Sequence, residues 1–420
     1  MRILLSCYYF SPYRGGEAAV GWRYATGLAG LGHDVTVLYG DLSGSMPMKA
    51  DVERYTRESG MPENLTAIHV APTLLARFIH QQHAKLGLFF LYYPAYRLWQ
   101  KSALQTAKTL HNANPFDLSH HLTIIGFREP GYLWQLGIPF VWGPINGAAL
   151  MPWGFIPSFG WRGRYQHVIR NLMNWLQMRL PSRSRHAAAI AKKIWVVTEE
   201  DQHMVENIWG ECAEPMIETG AEASPDAIIR KIIPDQPLVL TWCGIIEARK
   251  SLPLVLEALG GLPADVDCLL EVIGDGPERK ACEALAESIG LGPRVRWHGK
   301  VPHAEAQQIM SAGHVLVHSS VKEGTPHVVL EALACAMPVI CHDSCGMGVA
   351  VNDSCGIKIP MKTPAVSVRG FREAISALRQ TPGLLESLSA GAIERAKELS
   401  WENKVRVVSD TYHQIINVRP

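Results

Sequence analysis

Two carboxylates eight residues apart frame the most chemically suggestive stretch of the chain. In Ser319-Ser320-Val321-Lys322-Glu323-Gly324-Thr325-Pro326-His327-Val328-Val329-Leu330-Glu331-Ala332, a strand is expected to end at His318 and a helix to start near His327, with Gly324 and Pro326 marking the turn between them. Free backbone N–H groups at a helix start, with the positive end of the helix dipole behind them, form a site for phosphate. The run Gly324, Thr325, Pro326, His327, Val328 would line such an anion. Glu323 falls in the turn and Glu331 is placed two turns into the helix. One carboxylate can face a sugar hydroxyl while the other holds ribose hydroxyls, since ionised carboxylates are strong acceptors. Spacing alone leaves equally open a helix-start glutamate beside a solvated one.

Four other segments carry groups of this kind. Trp242-Cys243-Gly244-Ile245-Ile246-Glu247-Ala248-Arg249-Lys250 follows an apolar run and ends in two cations. Val272-Ile273-Gly274-Asp275-Gly276-Pro277 closes another run with a tight turn. Near the N-terminus, Tyr13-Arg14-Gly15-Gly16-Glu17 allows close backbone approach at Gly15 and Gly16. Asp117-Leu118-Ser119-His120-His121 ends a short strand in two histidines.

Together these segments resemble the retaining family 4 glycosyltransferases of GT-B fold. Glu323-Gly324-Thr325-Pro326 through Glu331 matches the family's E-G-x-P-x-x-x-x-E frame without a gap, and Ala334-Cys335-Ala336-Met337-Pro338-Val339-Ile340 follows as its small-residue turn, with Ala336 where Gly is usual. The resemblance implies that Lys250 clamps a donor diphosphate; Ile245 occupies the position of the usual clamp Arg, so Arg249 is the candidate for the second cation. It places Gly244 and Gly274 beside the nucleotide, Gly15 and Gly16 across the cleft from the donor phosphate, and His121 or His120 near the donor sugar, with His121 favoured. Glu323 would hold that sugar and Glu331 the ribose. A Trp142-Gly143-Pro144 turn would present Asn146 and Gly147 to the cleft. The implied reaction is metal-independent transfer, with retention, from a nucleotide diphosphate sugar, foremost a UDP-sugar, to an acceptor hydroxyl. A nucleotide-sugar epimerase or a catalytically silent scaffold of the same shape are the other classes, and a soluble small molecule is the alternative acceptor.

The elements that must position these groups follow a strand, turn, helix grammar. Met1 to Phe10 begins basic and apolar but runs into Ser11-Pro12 with no small-residue cleavage site, which reads as a buried strand and not a signal peptide. Asp34–Tyr39, Asp117–His121, Ile138–Trp142 and Lys193–Thr198 continue one expected sheet. Leu238–Trp242, Cys268–Ile273, Val295–His298, His314–His318 and Pro338–Cys341 form a second. Alternation with helical patterns makes both sheets parallel, an α/β chain of two doubly wound Rossmann-like domains facing a central cleft. Residues 1–215 would be the acceptor-side domain, 216–400 the nucleotide-sugar domain, and 401–420 a helix returning to the first.

At 420 residues, 47% apolar and 19% charged, the chain can bury ordinary cores. Its nine cysteines show no Cys-x-x-Cys pair, and no Asp-x-Asp metal motif ends a strand, so neither a disulfide framework nor a metal is expected. The net charge of +1 hides an asymmetry. Between Asn64 and Thr198 the only carboxylates are Asp117 and Glu129, against many Lys and Arg residues interleaved with aromatics. The stretch from Trp161 to Leu180 places Val168, Leu172, Trp175, Leu176 and Leu180 near one helical face with Arg164, Arg170 and Arg179 elsewhere, and Leu86–Tyr93 is apolar and aromatic. Such segments lie on anionic bilayers, which points to a lipid-linked acceptor at the inner face of the cytoplasmic membrane. No nucleic-acid recognition module is present. The alternative is that this surface packs onto its own domain with its charge solvated.

Overall fold

A computed structural model describes residues 1–43, 45–86, 91–180, 182–222, 227–233 and 235–417. Among these, two parallel sheets organise the chain. The first comprises β1 (Arg2–Ser6), β2 (Asp34–Tyr39), β3 (Leu65–His69), β4 (Leu118–His121), β5 (Phe140–Ile145), β6 (Lys193–Val196) and β7 (Glu214–Pro215), in the order β3-β2-β1-β4-β5-β6-β7. The second comprises β8 (Leu238–Cys243), β9 (Cys268–Ile273), β10 (Val295–Gly299), β11 (Val315–His318), β12 (Val339–His342) and β13 (Gly356–Ile359), ordered β10-β9-β8-β11-β12-β13. The central strands read as near-continuous Val, Ile and Leu because helices cover both faces.

Each sheet reverses its winding once, between β1 and β4 and between β8 and β11. In open α/β sheets the crevice outside the carboxyl ends of the strands at this reversal is where ligands bind. The loops leaving these four strands carry Gly15 and Gly16, residues 122–131, the Gly244–Lys250 stretch and the Ser319–Pro326 turn.

Three strands were not anticipated. β3, β7 and β13 each pair on one side only, and β7 has two residues, so burial imprints little pattern on them. The expected Trp142-Gly143-Pro144 turn lies inside β5. A Cβ at Gly143 would meet the Trp195 carbonyl at 2.3 Å, so glycine is set there by the closeness of β6.

The domains are joined twice. Ala221 N donates to the Leu399 carbonyl at 2.9 Å, so the outgoing and returning crossings run side by side. The helix Trp401–Asn417 then packs on the first domain, where Tyr24 meets Trp401 edge-on and Val405 fills the space beside Gly27. A third contact spans the cleft: Met151, Phe155 and Ile156, from the loop after β5, are buried in the apolar core of the second sheet.

Candidate active site

The site grows from the β11 turn. Trp242 Nε1 donates to Ser319 Oγ at 3.0 Å, Ser319 Oγ donates to the Lys250 carbonyl at 2.7 Å, and Val321 N donates to the Arg249 carbonyl at 2.9 Å. These bonds lock the loop after β8 to the loop after β11. Lys250 Nζ is thereby ion-paired with Glu323 Oε2, which also accepts from Ser320 Oγ at 2.9 Å. Arg249 Nη1 lies 3.5 Å from Glu323 Oε1, while its Nε pairs with Glu247 at 2.7 Å. His318 Nε2 stands 3.4 Å from Glu323 Oε2. Burial pushes the Glu323 carboxyl up, but His318 and Lys250 outweigh it and hold the group well below the usual carboxylate range. Glu247, Arg249, Lys250 and Glu323 from two loops, with His318 at the end of β11, form one cluster.

Gly324 to Val328 lead into the helix His327–Ala334, whose N-cap is Pro326. Among the described residues nothing accepts from the amides of His327 and Val328. The amide of Thr325 is different: it donates to Glu218 Oε1 at 3.1 Å, and Thr325 Oγ1 donates to Glu218 Oε2 at 2.6 Å. Thr325, expected to line the anion, therefore already has its amide and hydroxyl engaged by a carboxylate. Gly324 has a steric role, because a Cβ there would meet Asn146 Nδ2 at 2.7 Å. Glu331 is the fifth residue of its helix, a little over one turn in and not two, half-buried with its charge felt by Cys243 and Cys335.

Gly244 and Gly274 sit back to back. A Cβ on Gly274 would lie 1.9 Å from the Gly244 carbonyl, so glycine there is required by loop packing. Ile245 is exposed beside them. Across the cleft, no atom lies within 4 Å of a Cβ built on Gly15 or Gly16, and Gly16, at φ +63°, leads into the helix Glu17–Gly30. Glu17 Oε1 accepts from Ile125 N at 3.1 Å, tying this loop to the one after β4.

The two histidines stand elsewhere than expected. His120 Nδ1 pairs with Tyr412 Oη and its Nε2 with the Gly143 carbonyl, both at 2.6 Å, and burial pushes it down to about 4. His121 lies under the loop after β4, against Gly131; it is 1% exposed, and burial, then His120, push it down to about 3. Neither lines the cleft cavity. Adjacent strand residues face opposite sides of a sheet, and here both sides are covered.

The cavity between the domains has a volume of about 480 Å³ and includes Asn146, Gly147, Glu323 and Gly324, with Arg128, Arg170, Asn174 and Lys322 in its wall. Sequence reasoning gave no site role to Glu218, His318 or this basic group, and read Arg170 only as a charge on a bilayer-facing helix. Lys322 adjoins Glu323 and was within reach of a spacing argument; the others converge only through the fold. Among the described residues no three His, Cys, Asp or Glu side chains gather to hold a metal ion.

Solved structures share the two-sheet fold over essentially the whole chain. A lipopolysaccharide outer core galactosyltransferase, WaaB in its apo form, superimposes with a TM-score of 0.66 at 12% identity, covering 99% of both chains. The fold is GT-B. Anabaena HepE, in complex with UDP and glucose, shares it with a TM-score of 0.56 at 14% identity over 99% of this chain and 100% of that one. Residues 226–395 of the GT-B chain match the family profile described as glycosyl transferases group 1. Over 226 residues it is 25% identical to O-antigen chain mannosyltransferase B of Escherichia coli, 51% of this chain and 58% of that protein. The chain spans about half the length of the curated relatives it matches. These matches show the GT-B fold and a likeness to glycosyl transferases group 1 over residues 226–395.

Proposed function

We propose that the protein transfers a sugar from a nucleoside diphosphate sugar to an acceptor hydroxyl, with retention and without a metal ion. The Lys250–Glu323 cluster at the carboxyl ends of β8 and β11, beside the helix start at His327, carries this reading. As the anomeric C–O bond breaks, negative charge develops on the leaving diphosphate. Arg249, Lys250 and the amides of His327 and Val328 are the groups that would stabilise it. Glu323 would accept from a donor-sugar hydroxyl and Glu331 from the ribose. The new bond forms from the acceptor oxygen, whose proton passes to the departing diphosphate. Residues 216–400 then serve as the donor domain and the first domain offers the acceptor. UDP is the first nucleotide to test, as the diphosphate held by the Anabaena relative.

The acceptor is a lipid-linked saccharide in this reading, met at the inner face of the cytoplasmic membrane. The helix Trp161–Arg179 supports it, because its orientation inverts the usual one. Asn171, Asn174 and Met178 face inward, while Trp161 (75% exposed), Leu172 (54%) and Trp175 (45%) face out beside Arg162 and Arg179. An apolar outer face with a basic margin matches an anionic bilayer. Residues 87–90, within the Leu86–Tyr93 segment expected to dip beside it, lie outside the described residues. No described helix is long and apolar enough to cross a membrane.

Calorimetry against UDP, GDP and ADP, followed by donor turnover with and without acceptor, tests the catalytic reading. Binding of one diphosphate and acceptor-dependent release of it are expected. A changed sugar in a donor-only incubation would replace transfer by epimerisation, and absence of nucleotide binding would leave a scaffold.

A further inference from the structure

The wall of the interdomain cavity carries three cations with no carboxylate of their own. Arg128 donates from Nη2 to Asn174 Oδ1 at 2.5 Å and from Nε to Gln177 Oε1, with its guanidinium over the Phe127 ring at 4.1 Å. Both partners are neutral amides, which orient the fork without cancelling its charge. Arg170 makes no hydrogen bond or ion pair among the described residues. Lys322 Nζ donates to the Ala149 carbonyl at 2.7 Å, again a neutral acceptor. The neighbouring carboxylates are occupied. Glu129 is held by Arg97 at 2.6 Å and Arg183 at 2.5 Å, and Glu323 by Lys250. Asp201 accepts from Thr198 and Ala148, and burial pushes its carboxyl up to about 7.

These cations oppose one another. Burial, and then the Arg170 and Arg128 charges, bring Lys322 down to about 8. Arg128 and Lys322 are half-buried and Arg170 is exposed; holding like charges together where two of them are partly desolvated is unfavourable unless an anion enters, and the attraction there exceeds its value in bulk water. The donor already has its own cationic set in Arg249 and Lys250, which pair with Glu323 and do not line the cavity. We propose that the cavity binds the acceptor through an anionic group, a phosphate or a carboxylate, carried by the acceptor itself. The proposal rests on the transferase reading above, in which Glu323 belongs to the donor sugar. A neutral acceptor would leave the three charges uncompensated, so the anion selects the acceptor as well as holding it.

The test uses the full chain saturated with UDP, titrated calorimetrically with glucose 6-phosphate, glucuronate and glucose. At least one charged probe should bind tenfold or more tightly than glucose, and the stronger of the two identifies phosphate or carboxylate as the group read. Arg170→Ala and Lys322→Met should each weaken that probe tenfold or more, while Lys101→Ala, at an exposed site on another helix, leaves it unchanged. Equal binding of glucose, or unaltered binding in both cavity variants, overturns the proposal. So does charged-probe binding that disappears when UDP is present, because the cations would then belong to the donor diphosphate. Failure of the wild-type chain to bind UDP overturns the donor-site reading instead, and the same titrations without UDP still decide the cavity.

Discussion

Lys250 and Glu323 come from loops 73 residues apart and form an ion pair at the point where the second sheet reverses its winding. Lys250 is 8% exposed, so removing its partner leaves a charge with little solvent to take over. Glu323→Gln should lower turnover by roughly 100-fold or more, the scale of losing one aligned polar group at a reacting centre. It should also flatten acid unfolding. Because the folded carboxyl titrates below its unfolded value of about 4.3, its contribution is present above that pH and lost as pH falls through the folded pKa. Denaturant titrations of both proteins at pH 6 and pH 3 check this; parallel losses would contradict it.

Three buried histidines give a second, separate acid sensitivity. Burial holds His120 and His342 down to about 4 and His121 to about 3. Unfolded histidine takes up its proton near pH 6.5, so stability should fall as pH drops from about 6.5 towards 4, by up to on the order of 3 kcal/mol for each group. His120→Gln should make the fall shallower. A flat stability profile across this window would rule the argument out.

Asn171 anchors the inverted helix with both ends of its amide. Its Oδ1 accepts from Met151 N at 2.9 Å and its Nδ2 donates to the Met151 carbonyl at 2.8 Å. Asn171→Ala would orphan two buried backbone groups and should cost about 2–4 kcal/mol. Equilibrium unfolding in urea measures it, and a cost under about 0.5 kcal/mol would show that the helix is held by other contacts.

Gly346 packs against the turn proposed to hold the donor diphosphate. A Cβ there would lie 2.2 Å from the Gly324 carbonyl, whereas one on Gly348 would come no nearer than 3.2 Å, to the Asp343 carboxylate, and 3.5 Å to its backbone. Gly346→Ala should therefore weaken nucleotide binding roughly tenfold, about 1.4 kcal/mol, and Gly348→Ala should have little effect. Equal affinities for the two variants would disprove the steric argument.

The exposed apolar face should govern membrane association. Liposomes with anionic lipid should carry the wild-type chain to the top of a density gradient at low salt, and rising salt should release it, since each nearby basic residue contributes about 1 kcal/mol that is screened. Leu172→Ser with Trp175→Ser should remain at the bottom. Flotation on neutral lipid alone would leave the arginines without a part in it.

Strand, turn and helix grammar was legible because the sheets' central strands are buried on both faces, which forces continuous apolar runs such as Ile3–Leu5 and Val315–Val317. The Glu323-to-Glu331 frame was legible for the same local reason: a strand end, a glycine turn and a helix start are written in consecutive residues. Tertiary structure alone decided what is near what. It turned His120 towards Tyr412 on the last helix and sealed His121 beneath a loop, since strand alternation tells which sides two neighbours take and not what covers those sides. It brought Glu218 onto Thr325, and Arg128, Arg170 and Lys322 onto one cavity wall, from segments whose separation in sequence says nothing of distance. It also turned an amphipathic helix polar side inward, because the neighbouring loop offers Met151's backbone groups and Arg128 as partners for asparagines, and apolar side chains could not satisfy them.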